Sequence, residues 1–223
     1  AGNANYAAAT DVEQSFDIGR AAQLIAFTAP GPQTFVPNGT VELSATGGVS
    51  GEPVTFATKT EAVCSVSGTQ ATILSAGTCS VTASQAGNAN YAAAADVTES
   101  FAIGPAAQLI AFTAPGPQTF VPGGTVELTA TGGASGLPVT FATKTEAICS
   151  VSGTQATMLS AGTCSVTASQ AGNANYAAAA DVTESFDIGR AAQLIAFTAP
   201  GPQVFVPGGT VELTATGGAS GLP

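Results

Sequence analysis

Side chains able to do chemistry are scarce in this chain, and cysteine is the most informative of them. Cys64 and Cys79 form one pair and Cys149 and Cys164 another, each with members 15 residues apart. Thiols so placed could form disulfides, stay as free nucleophiles, or bind a metal. Cys64 alternates in step with Val66 and Cys79 with Val81, so in extended chain all the sulfurs face an interior. Four cysteines permit three pairings. Copies of one unit stacked end to end would hold the two pairs tens of ångströms apart, beyond disulfide reach, which favours Cys64 with Cys79 and Cys149 with Cys164. Closing loops of about 15 residues would stabilise each unit by about 3 kcal/mol and implies an oxidising, extracytoplasmic setting. Buried free thiols are the alternative. A metal site is weaker still, because His is absent and the pairs are not closely spaced.

Other chemistry fares less well. Glu61 beside Lys59, and Glu146 beside Lys144, resemble acid–base pairs but read better as solvated strand ends. Lys59 is expected to point outward, which argues against an isopeptide crosslink. Ser and Thr are numerous but have no positioned base, so no catalytic residue is assigned and the expectation is a protein that is not an enzyme. No cofactor is called for. Calcium is a minor alternative through Asp96, Glu99, Asp181 and Glu184, with Asp11, Glu13 and Asp187 nearby in the pattern, but a firm site needs about six oxygens or more. Asn38-Gly39-Thr40 fits a glycosylation acceptor; Gly123 and Gly208 replace the asparagine in later copies, so a turn is the simpler reading.

These residues recur because the chain is an array. AGNANYAAA begins at Ala1, Ala86 and Ala171, and residues 20–104 differ from 105–189 at eight of 85 positions: 20/105, 38/123, 44/129, 49/134, 52/137, 63/148, 73/158 and 102/187. The expected domains are a fragment at 1–19, complete repeats at 20–104 and 105–189, and a second fragment at 190–223. A chain that starts and stops inside its own period reads as a window on a longer protein. Units of this size stabilise only marginally on a core alone, so a covalent staple would help.

Lys and Arg total 4 against 14 Asp and Glu, a charge of the wrong sign for nucleic acid or anionic membranes. No apolar run reaches the roughly 18–20 residues of a membrane span. Charged residues are only 8% of the chain, while Gly, Ser, Thr, Ala and Pro abound, as in short strands joined by many turns.

The elements that must position the cysteines are strands. In residues 20–104 the apolar period is two, with turn residues every 8–12 positions, the signature of a sandwich. Leu24 to Thr28 reads as a first strand, and APGPQTFVPNG as proline-bearing bends of an edge strand that switches sheets. TVELSAT places Val41, Leu43 and Ala45 inward; Val54 and Phe56 follow, then CSV, QATIL and TCSVTAS, with Cys79, Val81 and Ala83 on one side. A last strand covers about Val97 to Ile103, where inward parity at Glu99 requires a bulge or an exposed edge. NANYAAAA before it reads as a turn docking Tyr91 on the core.

PGGTVELTATGG, PVTFATKTEAICSVSG and LSAGTCSVTAS, in that order and spacing, resemble the bacterial immunoglobulin-like (group 2-like) repeats found in tandem in large surface and secreted proteins. The resemblance covers both complete repeats and extends to the fragments. It implies an all-β chain of Ig-like Greek-key sandwiches, seven strands each, arranged end to end as an extended rod and serving as stalk, spacer or adhesive module. It carries over no catalytic residues. The cysteine pair and the NANYAAAADVTES extension depart from the simplest version of the pattern.

At the joints, Asp17 occurs with Arg20 and Asp187 with Arg190, whereas Ala102 occurs with Pro105. An acid and base three apart could contact each other weakly across the joint, and proline would stiffen it. The expected function is an extracellular, cell-surface or secreted stalk, fibre or biofilm filament, part of an adhesin or surface appendage. Its partners would be neighbouring repeats, other copies in a filament, and an unidentified surface or matrix ligand. The alternative is a multivalent adhesive module with one weak site per repeat.

Overall fold

Alternating apolar residues between glycine and proline turns build nothing but strands here: the computed structural model, which describes residues 1–220, is all-β. Gly221–Pro223, the end of the trailing fragment, lie outside the described residues. Two compact units are present. Unit 1 is Ala1–Ala107 together with Asn173–Ala177, and unit 2 is Gln108–Gly172 with the chain from Ala178 onward.

In unit 1 the strands are β1 (Ala26–Phe27), β2 (Gln33–Thr34), β3 (Thr40–Glu42), β4 (Ala45–Thr46), β5 (Val54–Thr58), β6 (Cys64–Ser67), β7 (Gln70–Ile73), β8 (Gly77–Gln85) and β9 (Val97–Gly104). One sheet runs β2-β9-β8-β5 and the other β3-β7-β6, with a short β1-β4 ladder where the chain continues past β3. β2 pairs parallel to the end of β9, whereas β1 pairs antiparallel to β4, so the proline-bearing segment between β1 and β2 does move the chain from one sheet to the other. Proline suits that position because it removes a donor where no ladder needs one.

Unit 2 repeats the plan. Its strands are β10 (Ala111–Phe112), β11 (Gln118–Thr119), β12 (Thr125–Glu127), β13 (Ala130–Thr131), β14 (Val139–Thr143), β15 (Cys149–Ser152), β16 (Gln155–Met158), β17 (Gly162–Gln170) and β18 (Val182–Gly189). Sheets β11-β18-β17-β14 and β12-β16-β15 form, with the β10-β13 ladder. The trailing fragment adds only an exposed hairpin, β19 (Ala196–Thr198) with β20 (Thr214–Thr216).

The core of each unit lies between its two sheets. In unit 1, Leu43, Cys64 and Ile73 come from one side and Cys79, Val81, Phe101 and Ile103 from the other. Along β3 to β4, Val41, Leu43 and Ala45 are buried or half-buried while Thr40, Glu42 and Ser44 are exposed, the alternation the pleat demands. Unit 2 uses Leu128, Met158, Val166, Phe186 and Ile188 in the same way. The Ile73/Met158 and Val63/Ile148 exchanges are absorbed as apolar swaps of similar size.

Two local expectations are corrected and one is resolved. The first strand is shorter than Leu24–Thr28, and Leu24 itself is exposed. Of the bulge and the exposed edge expected at Glu99, the structure has the second: β9 pairs with β8 without interruption from Gly77↔Ile103 to Ala83↔Val97, β2 pairs with β9 only at Ile103 and Gly104, and Glu99 is exposed opposite Val81. Tyr91 does not dock on the core that precedes it in sequence. Ala94 takes that place, and the tyrosine packed against the unit 1 core is Tyr176.

Candidate functional site

The strand register brings β6 and β8, which lie in opposite sheets, close enough for a covalent bond. Cys64 and Cys79 are disulfide-bonded with Cα atoms 5.7 Å apart, and Cys149 and Cys164 repeat the arrangement at the same 5.7 Å. All four are 0% exposed. The bond bolts one sheet to the other through the centre of the core. Around it, Thr58 and Thr60 place their hydroxyls 3.2 and 3.5 Å from Cys64 Sγ. Thr60 Oγ1 also accepts from the Ser80 N–H at 3.0 Å, fixing the segment that leads into β6 against β8.

A second constellation, built from amides, was not singled out by sequence reasoning. Gln23 and Gln85 are both buried, Gln85 at 3% exposure, and their side chains tie loops to one another. Gln85 Oε1 accepts from Gly48 N–H at 2.6 Å while its Nε2 donates to Glu52 O at 2.7 Å, spanning the GGVSGEP turn. Gln23 Oε1 accepts from Ser50 N–H at 3.0 Å, and its Nε2 donates to Ala86 O and Ala92 O at 3.1 and 2.9 Å. Gln170 and Gln108 repeat these roles in unit 2. The sequence signal was present: a glutamine at the inward parity of β8, where a buried amide must find backbone partners. A Cβ on Gly47 would lie 2.6 Å from Gln85 Nε2, so a larger residue there would push the amide off its backbone partners.

The AGNANY loop is the third feature. In every copy its first asparagine accepts from the N–H groups two and three residues on: Asn3 from Asn5 and Tyr6, Asn88 from Asn90 and Tyr91, Asn173 from Asn175 and Tyr176. This is an Asx turn, closed by local chain alone. A Cβ on Gly87 would fall 2.4 Å from Tyr91 O, so only glycine admits the fold-back. In unit 1 the Asn173–Ala177 loop is seated on the end of the sandwich. Asn175 Oδ1 accepts from Ala76 N–H at 2.8 Å, and the Tyr176 ring meets Phe35 edge-on at 5.5 Å. Ala106 N–H donates to Asn175 O and Ala177 N–H to Ala106 O, both at 2.8 Å.

The joint residues are placed differently from the expected acid–base contact. Asp187 accepts from Thr163 Oγ1 at 2.8 Å across the β17–β18 pair, and Asp17, Arg20 and Arg190 are exposed. Ala102 lies opposite Thr78 in β8, the position Asp187 holds opposite Thr163, and Pro105 is exposed. Asp96, Glu99, Asp181 and Glu184 are exposed, and no group of three metal-ligating side chains converges among the described residues. Among the same residues, no helix is long and apolar enough to cross a membrane. Every Phe and Tyr of residues 20–189 is buried or half-buried.

The chain is thus a tandem-repeat protein of disulfide-stapled β-sandwiches. No family model and no curated protein matches it. Among solved structures, it is similar to Drosophila N-cadherin EC1-4 at 11% identity, over 87% of this chain and 59% of that one, with a TM-score of 0.30. The C-terminal 282-residue fragment of intimin, in complex with the intimin-binding domain of its translocated receptor, is 21% identical over 71% of this chain and 58% of that one, TM-score 0.27. Fibronectin(III)-like modules of Clostridium thermocellum CbhA are 14% identical over 75% and 95%, TM-score 0.30. The chain spans just under three fifths of the N-cadherin and intimin chains it matches.

Proposed function

We propose that this chain is a non-enzymatic structural array, a stretch of extracellular stalk or fibre made of repeats of the bacterial immunoglobulin-like kind, with domain limits near 20–104 and 105–189. One observation carries the reading: each repeat holds its own fully buried disulfide joining its two sheets, in the same place and with the same surroundings. A bolt through every unit serves a chain that must keep its length under load. It also accords with an oxidising, extracytoplasmic location. Stiff joints around residues 17–20, 102–105 and 187–190 would make the array a rod.

Pulling single molecules tests it. With the bonds intact, the 15-residue segment between the cysteines cannot extend; reduction should lengthen the extension released per repeat by about 50 Å, at roughly 3.3–3.6 Å per residue. An increment unchanged by reduction, or solution scattering from a compact globule, sinks the stalk reading. The multivalent-binder reading has one observation in its favour, the recurrence of exposed Leu24 and Leu109, each at 79%. Single exposed leucines are ordinary on protein surfaces, so the stalk leads.

A further inference from the structure

The two sulfurs of each disulfide have unlike surroundings. Cys64 Sγ, being bonded to Cys79, carries no hydrogen, so the hydroxyls of Thr58 and Thr60, 3.2 and 3.5 Å away, are the donors to it. Their oxygens are already engaged as acceptors. Thr58 Oγ1 takes the Thr60 N–H at 3.1 Å, and Thr60 Oγ1 takes the Ser80 N–H at 3.0 Å. Among the described residues the Thr60 hydroxyl has no acceptor but this sulfur, and that of Thr58 has one other, Ser80 O at 3.4 Å. No hydrogen bond reaches Cys79 Sγ among the same residues, and Cys79 lies opposite Phe101 in the ladder. Unit 2 repeats the asymmetry: Thr143 and Thr145 lie 3.2 and 3.5 Å from Cys149 Sγ, and Thr145 Oγ1 accepts from Ser165 N–H at 3.0 Å. Thr60 is also tied to Cys64 locally, because Val63 N–H and Cys64 N–H both donate to Thr60 O, at 2.8 and 3.0 Å. The hydroxyl therefore travels with Cys64 when β6 parts from β8.

We propose that each disulfide is a polarised site of thiol exchange: when a unit opens, the thiolate of a small-molecule thiol attacks Cys79 or Cys164, and Cys64 or Cys149 departs as the thiolate. A lone pair of the entering sulfur forms the new S–S bond, and the electron pair of the old bond stays on Cys64. One disulfide is exchanged for another, so Cys79 carries the thiol as a mixed disulfide and Cys64 is free. The sulfur whose negative charge is better stabilised leaves faster, and the hydroxyls already aimed at Cys64 are the donors that stabilise it. By reversal, Cys64 attacks the adduct on Cys79 when the bolt closes again. Both sulfurs are 0% exposed, so a closed unit is out of reach and exchange waits on opening. Access alone favours the other product, because β6 is the edge strand of its sheet whereas β8 lies inside its own. Exchange at this bond does not require the chain to be a stalk, so it stands or falls apart from the pulling result.

The test is to incubate the full chain with reduced glutathione in denaturant below the unfolding midpoint, quench in acid, digest with pepsin and locate the adducts by mass spectrometry. Glutathione is expected on Cys79 and Cys164 in preference to Cys64 and Cys149 by about tenfold or more, the effect of one hydrogen bond to a charged group. The double variant Thr58→Val/Thr60→Val should bring the Cys79 to Cys64 ratio towards even, while unit 2 keeps its preference in the same sample. Thr60→Ser, which retains the hydroxyl, should keep the preference in both units. The wild-type ratios of the two units decide the matter even where the double variant fails to fold. Glutathione mainly on Cys64 and Cys149, or an even split, overturns the proposal. So does a ratio that the double variant leaves unchanged, or the absence of any adduct where amide exchange shows β6 and β8 open.

Discussion

Phe35 and Phe120 sit at the same place in two repeats whose sequences differ at eight of 85 positions, yet Phe35 is buried and Phe120 half-exposed. Tyr176 meets Phe35 edge-on at 5.5 Å, and no ring contact to Phe120 is present among the described residues. The difference lies in the Asn173–Ala177 loop, which packs on Phe35 as part of unit 1 although it is written in the second repeat. Sequence period and folding unit are therefore not the same object. A repeat is what is copied; a unit is what buries a core together.

The largest expected effect shows what the two units share. Replacing Cys64 and Cys79 with Ser should lower the stability of unit 1 by about 3 kcal/mol, and Cys149 and Cys164 to Ser should do the same to unit 2. In calorimetry each pair should move one transition by roughly 10–20 °C; unequal shifts would mean that the units are not energetically equivalent. Next comes Gln85→Ala, which leaves Gly48 N–H and Glu52 O without their protein partners and should cost about 2 kcal/mol, with Gln170→Ala costing about as much in unit 2.

Tyr176→Ala sharpens the contrast itself. It should destabilise unit 1, not unit 2, by about 1 kcal/mol, the scale of an edge-on aromatic pair. Hydrogen exchange at Phe35 and Ala76 would read it, and faster exchange in unit 2 instead would break the assignment of the loop to unit 1. The smallest effect is expected at the turn before β3, where Asn38 has φ of 58° and its counterpart Gly123 φ of 68°. Asparagine tolerates the left-handed region at modest cost, so Asn38→Gly should change the melting temperature of unit 1 by no more than a few degrees.

Much of the sandwich was legible in the sequence for a local reason: strand alternation and turn chemistry are properties of neighbours along the chain. Val41, Leu43 and Ala45 declare an inward face within one segment, and the Gly and Pro positions declare where the chain must bend. The switch of the first strand between sheets could be read from its prolines. Leu24 could not be placed, since an apolar residue at a strand's start carries no mark of which side will be covered. At Glu99 parity left a bulge and an exposed edge open, and the structure decided for the edge, because parity says which face a residue points to and not how far the opposite sheet extends to cover it.

The amide network of Gln23 and Gln85 was missed because glutamine is mostly a surface residue. Its partners are backbone groups of loops 27 to 69 residues away. Asp187 shows the converse. Its spacing from Arg190 offered a partner in sequence, but β17 brings Thr163 within 2.8 Å across the sheet, and a neutral hydroxyl held by the ladder takes the place of a flexible cation.

By itself, the sequence determined the repeat, the strands, the turns and the inward parity of all four cysteines, because each follows from bond geometry and the nearest few residues. Only the tertiary structure decided which tyrosine covers which phenylalanine, since burial is a property of whatever surfaces meet, and the chain brings to Phe35 a loop about 140 residues further on.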